Sequence, residues 1–201
     1  MRRLKFIMQY ILNPRTVGAV FPSSHNLAEK MIDNIDFSKA QYIVEYGPGT
    51  GVFTDKLLKY RNKDTIILII EHNYEFYNLL KEKYKKEINL YIINDSAEYV
   101  DKYLKKYNIP YVDYVVSGLP FASLPKNVSS NILNKTRNIL KEEGNFITFQ
   151  YTLLKKEFIN KYFELISIQK EFINIPPAYI LCCSKNNNIN FYDKRSELNY
   201  E

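Results

Sequence analysis

The 201-residue chain has no tryptophan, six glycines, two histidines and two cysteines, and each scarcity narrows what it can be. The cysteines are adjacent, Cys182 and Cys183, so they supply neither a disulfide framework nor a zinc site. A reducing compartment is expected, and no metal centre. Long apolar runs are also lacking. The longest aliphatic stretch is Ile66–Ile70, far below the ~20 residues that a membrane span requires. Leu4 to Leu12 follow Met1-Arg2-Arg3 in the manner of a signal peptide, but Lys5 and Gln9 interrupt the stretch and no small-residue cleavage site follows, so export is not expected. Acid is missing from residues 1–28, which carry Arg2, Arg3, Lys5 and Arg15; the first carboxylate is Glu29. What the chain does have is 46% hydrophobic and 15% aromatic residues, enough for one well-packed domain. Its 28 lysines and arginines outnumber 22 acids, a net charge of +6 that favours an anionic partner.

Apolar runs at 42–46, 66–70, 90–93, 112–116, 145–151, 165–173 and 179–184 alternate with Lys- and Glu-rich stretches of helical spacing, such as Phe76-Leu79-Leu80. Short apolar strands separated by helices imply a mostly parallel sheet covered on both faces. The fold class expected is therefore α/β, with seven strands and no linker dividing them. Ahead of the first strand, Leu4, Ile7, Met8, Ile11 and Leu12 fall on one face of a helix that Asn13-Pro14 must stop. A second helix is expected from Ser23 or Ser24 towards Ile35. These observations divide the chain into a helical extension over 1–40, a domain over 41–184 and a polar tail over 185–201. The lysines at 81, 83, 85 and 86 read as a solvated helix face.

Three of the six glycines lie within Glu45-Tyr46-Gly47-Pro48-Gly49-Thr50-Gly51, at the end of the first strand pattern and before a helical one. A dinucleotide fingerprint needs a third glycine where Val52 stands, so that reading fails. The segment instead resembles the glycine turn of class I S-adenosylmethionine (SAM) methyltransferases, and the likeness extends over about residues 40–185. It implies a Rossmann-like seven-stranded sheet whose last strand is antiparallel. It also implies SAM as cofactor and S-adenosylhomocysteine as product. Glu45 would meet the amino group of the methionine moiety over Gly47, Gly49 and Gly51. Glu71, ending the second strand beside His72, would accept from both ribose hydroxyls. Asp95, ending the third strand beside Ser96, would accept from the adenine amine, and Ser117 would close the cofactor site.

The fourth strand ends Ser117-Gly118-Leu119-Pro120-Phe121, where the related ribosomal RNA adenine dimethyltransferases carry Asn-Leu-Pro-Tyr. Glycine offers no side-chain acceptor for an adenine amine. Together with Asn13-Pro14-Arg15-Thr16-Val17-Gly18-Ala19-Val20-Phe21-Pro22-Ser23-Ser24, these motifs most resemble the bacterial phospholipid N-methyltransferases. That resemblance implies methylation of phosphatidylethanolamine or its methylated derivatives by a cytoplasmic enzyme peripherally attached to the inner leaflet. The basic amphipathic helix over 2–12 is then the expected contact with an anionic membrane surface. Gly118, Leu119, Pro120 and Phe121 would line the head group, with Tyr151 and Tyr179 as further aromatic walls for a methylated cation. His25, Tyr46 and Ser117 are the expected catalytic residues, the first two as acceptors of the amine proton. Two alternatives stay open: an RNA or small-molecule methyltransferase, and a SAM-binding module without catalysis.

Overall fold

The computed structural model describes residues 25–172 and 177–185. The expected basic helix over 2–12, the Asn13 to Ser24 motif and the polar tail beyond 185 lie outside the described residues, as does the side chain of His25.

Seven strands form a single sheet: β1 (Tyr42–Tyr46), β2 (Ile66–Ile70), β3 (Leu90–Ile93), β4 (Val112–Ser117), β5 (Leu140–Gln150), β6 (Glu164–Glu171) and β7 (Ala178–Ser184). The helices are α1 (His25–Ile32), α2 (Val52–Tyr60), α3 (Tyr74–Lys83), α4 (Val100–Lys106), α5 (Lys126–Ile139) and α6 (Lys156–Ile159), with a 3-10 turn at Ala97–Tyr99. The order across the sheet is β3-β2-β1-β4-β5-β7-β6, parallel except for β7, which runs antiparallel to both neighbours. This is the Rossmann-like arrangement expected. Its central strands are mostly apolar because both faces are covered, and β2 is an unbroken Ile-Leu run. One buried cluster, including Tyr46, Phe121 and Phe146, fills one face, and a second, including Leu27, Met31, Phe53 and Ile147, fills the other. α1, inside the expected extension, thus packs directly on the sheet.

β1 pairs with β2 on one side and β4 on the other, so the chain winds outwards to β3 and then returns past β1 to start β4. Between the carboxyl ends of β1 and β4 the crossovers leave a crevice, the place where open α/β sheets bind ligands. At the opposite end, the Asp113 carboxylate accepts from the backbone N–H groups of Gln41 and Tyr42, both at 2.8 Å, and pairs with Lys141 at 2.5 Å. That contact fixes where β1 begins relative to β4.

Candidate active site

The β1–β3 flank of the crevice carries the acids. Gly47, Gly49 and Gly51 adopt φ of 61°, 58° and 86°, so the turn after β1 needs residues that tolerate the left-handed region. Added to Gly49, a Cβ would meet nothing within 4 Å, which marks that side of the turn as open space. Beneath it, Glu45 is fully buried. Its Oε2 accepts from the Thr54 hydroxyl at 2.7 Å, while its Oε1 has no hydrogen-bond partner among the described residues. Burial pushes the Glu45 carboxyl up to about 8, with Glu71 adding like charge. A buried acid with an idle oxygen beneath an open turn is an arrangement that a cationic group would satisfy.

Glu71 lies immediately beyond β2 and is also buried. Its carboxylate accepts from the backbone N–H of Gly49 at 3.1 Å and of Asn73 at 2.7 Å, tying the glycine turn to the start of α3. Burial raises its pKa, and these two N–H groups oppose the rise. Asp95, beyond β3, accepts from the Tyr103 hydroxyl and from the backbone N–H of Ser96, and the Tyr103 bond chiefly holds its pKa below the usual carboxylate range. Three acids therefore line three successive strand ends. His72 stands exposed beside them, and Ser96 caps the 3-10 turn by accepting from the Glu98 N–H.

The β4–β5 flank departs from expectation. Tyr46, expected as a proton acceptor, points into the core, where its hydroxyl meets Thr136 Oγ1 at 3.3 Å. Enclosure denies it access to an acceptor amine, and burial raises its pKa, so the phenol stays protonated and has no free base to offer. Alternation explains this: along β1, Glu45 and Tyr46 must face opposite sides of the sheet, and only one reaches the glycine-turn side. Ser117 is also fully buried, with its hydroxyl accepting from the Leu119 N–H at 3.2 Å. It shapes the turn after β4 rather than facing the crevice. Phe121, expected as a head-group wall, is completely enclosed and packs edge-on against Phe146. Leu119 and Pro120 stay half-buried at the rim, as do Tyr151 and Tyr179 at the ends of β5 and β7.

Gly118 has a steric reason for its identity. Its N–H donates to the Tyr46 carbonyl at 2.9 Å, and a Cβ there would sit 2.6 Å from the Gly47 carbonyl oxygen. The turns after β1 and β4 thus meet backbone to backbone.

Four residues of this region escaped the sequence reading. Thr54 was detectable, since it lies in the first turn of the helix after the glycine turn and so returns above β1. Gln150, whose side-chain amide donates to the Leu119 carbonyl at 3.3 Å, gave no signal because its partner is 31 residues away. Tyr84 and Lys83, which reach the back of the glycine turn, were hidden inside a lysine-rich stretch.

The model of a family described as ribosomal RNA adenine dimethylase matches residues 13–171. An ornithine lipid N-methyltransferase of Singulisphaera acidiphila is 26% identical over 180 residues, 89% of this chain and 93% of that protein. A ribosomal RNA small subunit methyltransferase A of Mycoplasma capricolum is 31% identical over 142 residues, covering 70% of this chain and 48% of that protein. The chain thus spans about half the length of that relative. Among solved structures, M. capricolum TrmK in complex with the cofactor product S-adenosylhomocysteine superposes with a TM-score of 0.59 at 16% identity, over 79% of this chain and 67% of that one.

Proposed function

The chain belongs to the ribosomal RNA adenine dimethylase family and is a SAM-dependent N-methyltransferase, and from that premise we propose that its acceptor is the amine of a membrane-lipid head group, phosphatidylethanolamine or its methylated derivatives. Gly118 carries this reading. An adenine acceptor calls for a side-chain carbonyl at the end of β4, and here the Gly47 carbonyl occupies the space that any side chain would need. The ornithine lipid N-methyltransferase supports it further, since that protein aligns over nearly its whole length.

The residues present fit the cofactor. The idle Oε1 of Glu45 suits the ammonium of the methionine moiety, and the open face of Gly49 leaves room for backbone approach. Glu71 retains free lone pairs for the ribose hydroxyls, and Asp95 retains them for the adenine amine. SAM, when bound, supplies a methyl group activated on a sulfonium. The protein's own contribution is orientation: acids on one flank hold the donor, while the close-packed Gly47 and Gly118 backbones narrow the opening through which an acceptor arrives. The acceptor amine must lose its proton, and with Tyr46 enclosed, His25 at the start of α1 is the group to test.

No helix among the described residues is long and apolar enough to cross a membrane, so a lipid acceptor has to be reached from the surface. We assign that contact to the basic amphipathic segment over 2–12, placing the enzyme peripherally on the cytoplasmic leaflet. The RNA reading is favoured by the family model and by the M. capricolum methyltransferase. Both are tested together by offering purified protein and methyl-labelled SAM phosphatidylethanolamine vesicles, ornithine lipid vesicles, ribosomal RNA and free amines. Label in a lipid extract is the expected result, and label in RNA overturns the reading. Co-sedimentation with anionic vesicles should weaken by about 1 kcal/mol per charge when Arg2, Arg3 and Lys5 become Gln. Wild type remaining in the supernatant would remove the docking role of 2–12.

A further inference from the structure

The glycine turn is open on its ligand side and gripped from behind. Tyr84 caps the C-terminal end of α3 with its ring buried. Its hydroxyl lies 2.9 Å from the Gly51 carbonyl and 2.7 Å from Asp55 Oδ1, so one hydrogen is shared between two acceptors some thirty residues away in sequence. The preceding residue adds charge to the same contact: Lys83 Nζ lies 2.7 Å from Asp55 Oδ2 and 3.3 Å from the Thr50 carbonyl. A Cβ on Gly51 would sit 2.4 Å from the Tyr84 hydroxyl and 3.0 Å from Leu80 Cδ2. α3 therefore closes against Gly51 as tightly as a residue without a side chain permits.

This grip has a physical purpose. A turn with three left-handed glycines has more conformational freedom to lose than any other segment of its length. Gly51 also opens α2 without a side-chain cap, so within the helix its first turn is held by backbone alone, through the Asp55 N–H to the Gly51 carbonyl. A ligand that contacts backbone there must supply the ordering cost unless the protein has already met it. Tyr84 and Lys83 meet it from the rear, through the Thr50 and Gly51 carbonyls and through Asp55, one residue beyond the Thr54 that bonds Glu45.

We propose that Tyr84 and Lys83 are positioning residues for the SAM site: they touch no ligand, and they hold residues 49–55 in the conformation that presents Gly49 and the Glu45–Thr54 pair to the cofactor. The proposal rests on the glycine turn being the cofactor site, and it assigns to the end of α3 a share of cofactor affinity.

The test uses the full chain and SAM itself, by calorimetry. Tyr84→Phe keeps the buried ring and removes only the shared hydrogen. Its dissociation constant for SAM should rise about tenfold, the scale of one charge-assisted hydrogen bond. KM for SAM should rise similarly, with kcat at saturating SAM unchanged. Lys83→Met, on an exposed side chain, should give roughly a threefold rise. Amide exchange across 47–55 should quicken in both variants and stay unchanged across β4 to β7. Wild-type binding in Tyr84→Phe, or a lowered melting temperature with affinity intact, overturns the proposal by making the contact purely structural. If Tyr84→Phe does not fold, Lys83→Met decides by the same criteria. Failure of wild type to bind SAM would instead overturn the cofactor reading on which the proposal stands.

Discussion

The two flanks of the crevice are built differently. On the β1–β3 side, side-chain carboxylates stand at each strand end, two of them buried, and the glycine turn is held by its hydrogen bond to Glu71 and by those from Tyr84 and Lys83. On the β4–β5 side Ser117 and Phe121 turn inwards and Gly118 meets Gly47 backbone to backbone, with Leu119, Pro120, Tyr151 and Tyr179 half-buried at the rim. One flank offers charge and the other shape. Under the proposed function, a donor that is always the same molecule would be read by fixed acids, and the acceptor side would limit what fits without binding its amine through a side chain.

Phe121→Ala gives the largest effect and tests whether the acceptor flank is truly interior. Emptying an enclosed site against Phe146 should cost about 3–5 kcal/mol in denaturant unfolding. A variant that kept its stability and lost only acceptor KM would place Phe121 in the crevice and break the contrast. Glu71→Ala should weaken SAM binding by roughly 30- to 150-fold by calorimetry, from the loss of about 2–3 kcal/mol of charge-assisted bonds. Unchanged affinity there would remove charge recognition from the donor flank.

A pH series sharpens the same flank. The Glu45 carboxyl is raised from 4.5 to about 8. Between those values the folded, ligand-free protein holds a proton that the unfolded chain has lost, so its stability should fall as pH rises through that window and level off above 8. A bound cation favours the charged form, so SAM affinity should tighten roughly tenfold per pH unit below 8 and then flatten. Glu45→Gln should bind weakly and show neither trend; an identical pH profile in this variant would assign the titration elsewhere. Tyr46→Phe should do least, leaving kcat unchanged and stability within about 1 kcal/mol. A large loss of kcat would restore Tyr46 as a catalytic group.

Much of this architecture was legible before the structure. The runs at 42–46, 66–70 and 90–93 match β1, β2 and β3 residue for residue; β1 and β2 are covered on both faces and need mostly apolar sequence, whereas the edge strand β3 is only partly buried. β5 begins earlier than its apolar run, at Leu140, since α5 leads straight into Lys141-Glu142-Glu143 and the ladder to β4 shifts register before Asn145. α6 is confined to Lys156–Ile159, and Phe163 packs into the core. Within the site, the placement of the three acids was readable because Glu45 sits near the end of β1 and Glu71 and Asp95 just past β2 and β3, where position along the chain already implies position at the strand ends. Tyr46, Ser117 and Phe121 were misread because their roles depend on direction, and a strand or a tight turn sends adjacent side chains to opposite sides.

By itself the amino-acid order determined the individual strands, the glycine turn and the acids at three strand ends, since each is a pattern within about ten positions. Tertiary structure alone decided that Tyr46 and Phe121 are core, that Gly118 is glycine for want of space against Gly47, and that Tyr84 secures Gly51 from 33 residues away. Those outcomes arise where two distant backbones come into van der Waals contact, and no local pattern encodes how close that contact will be.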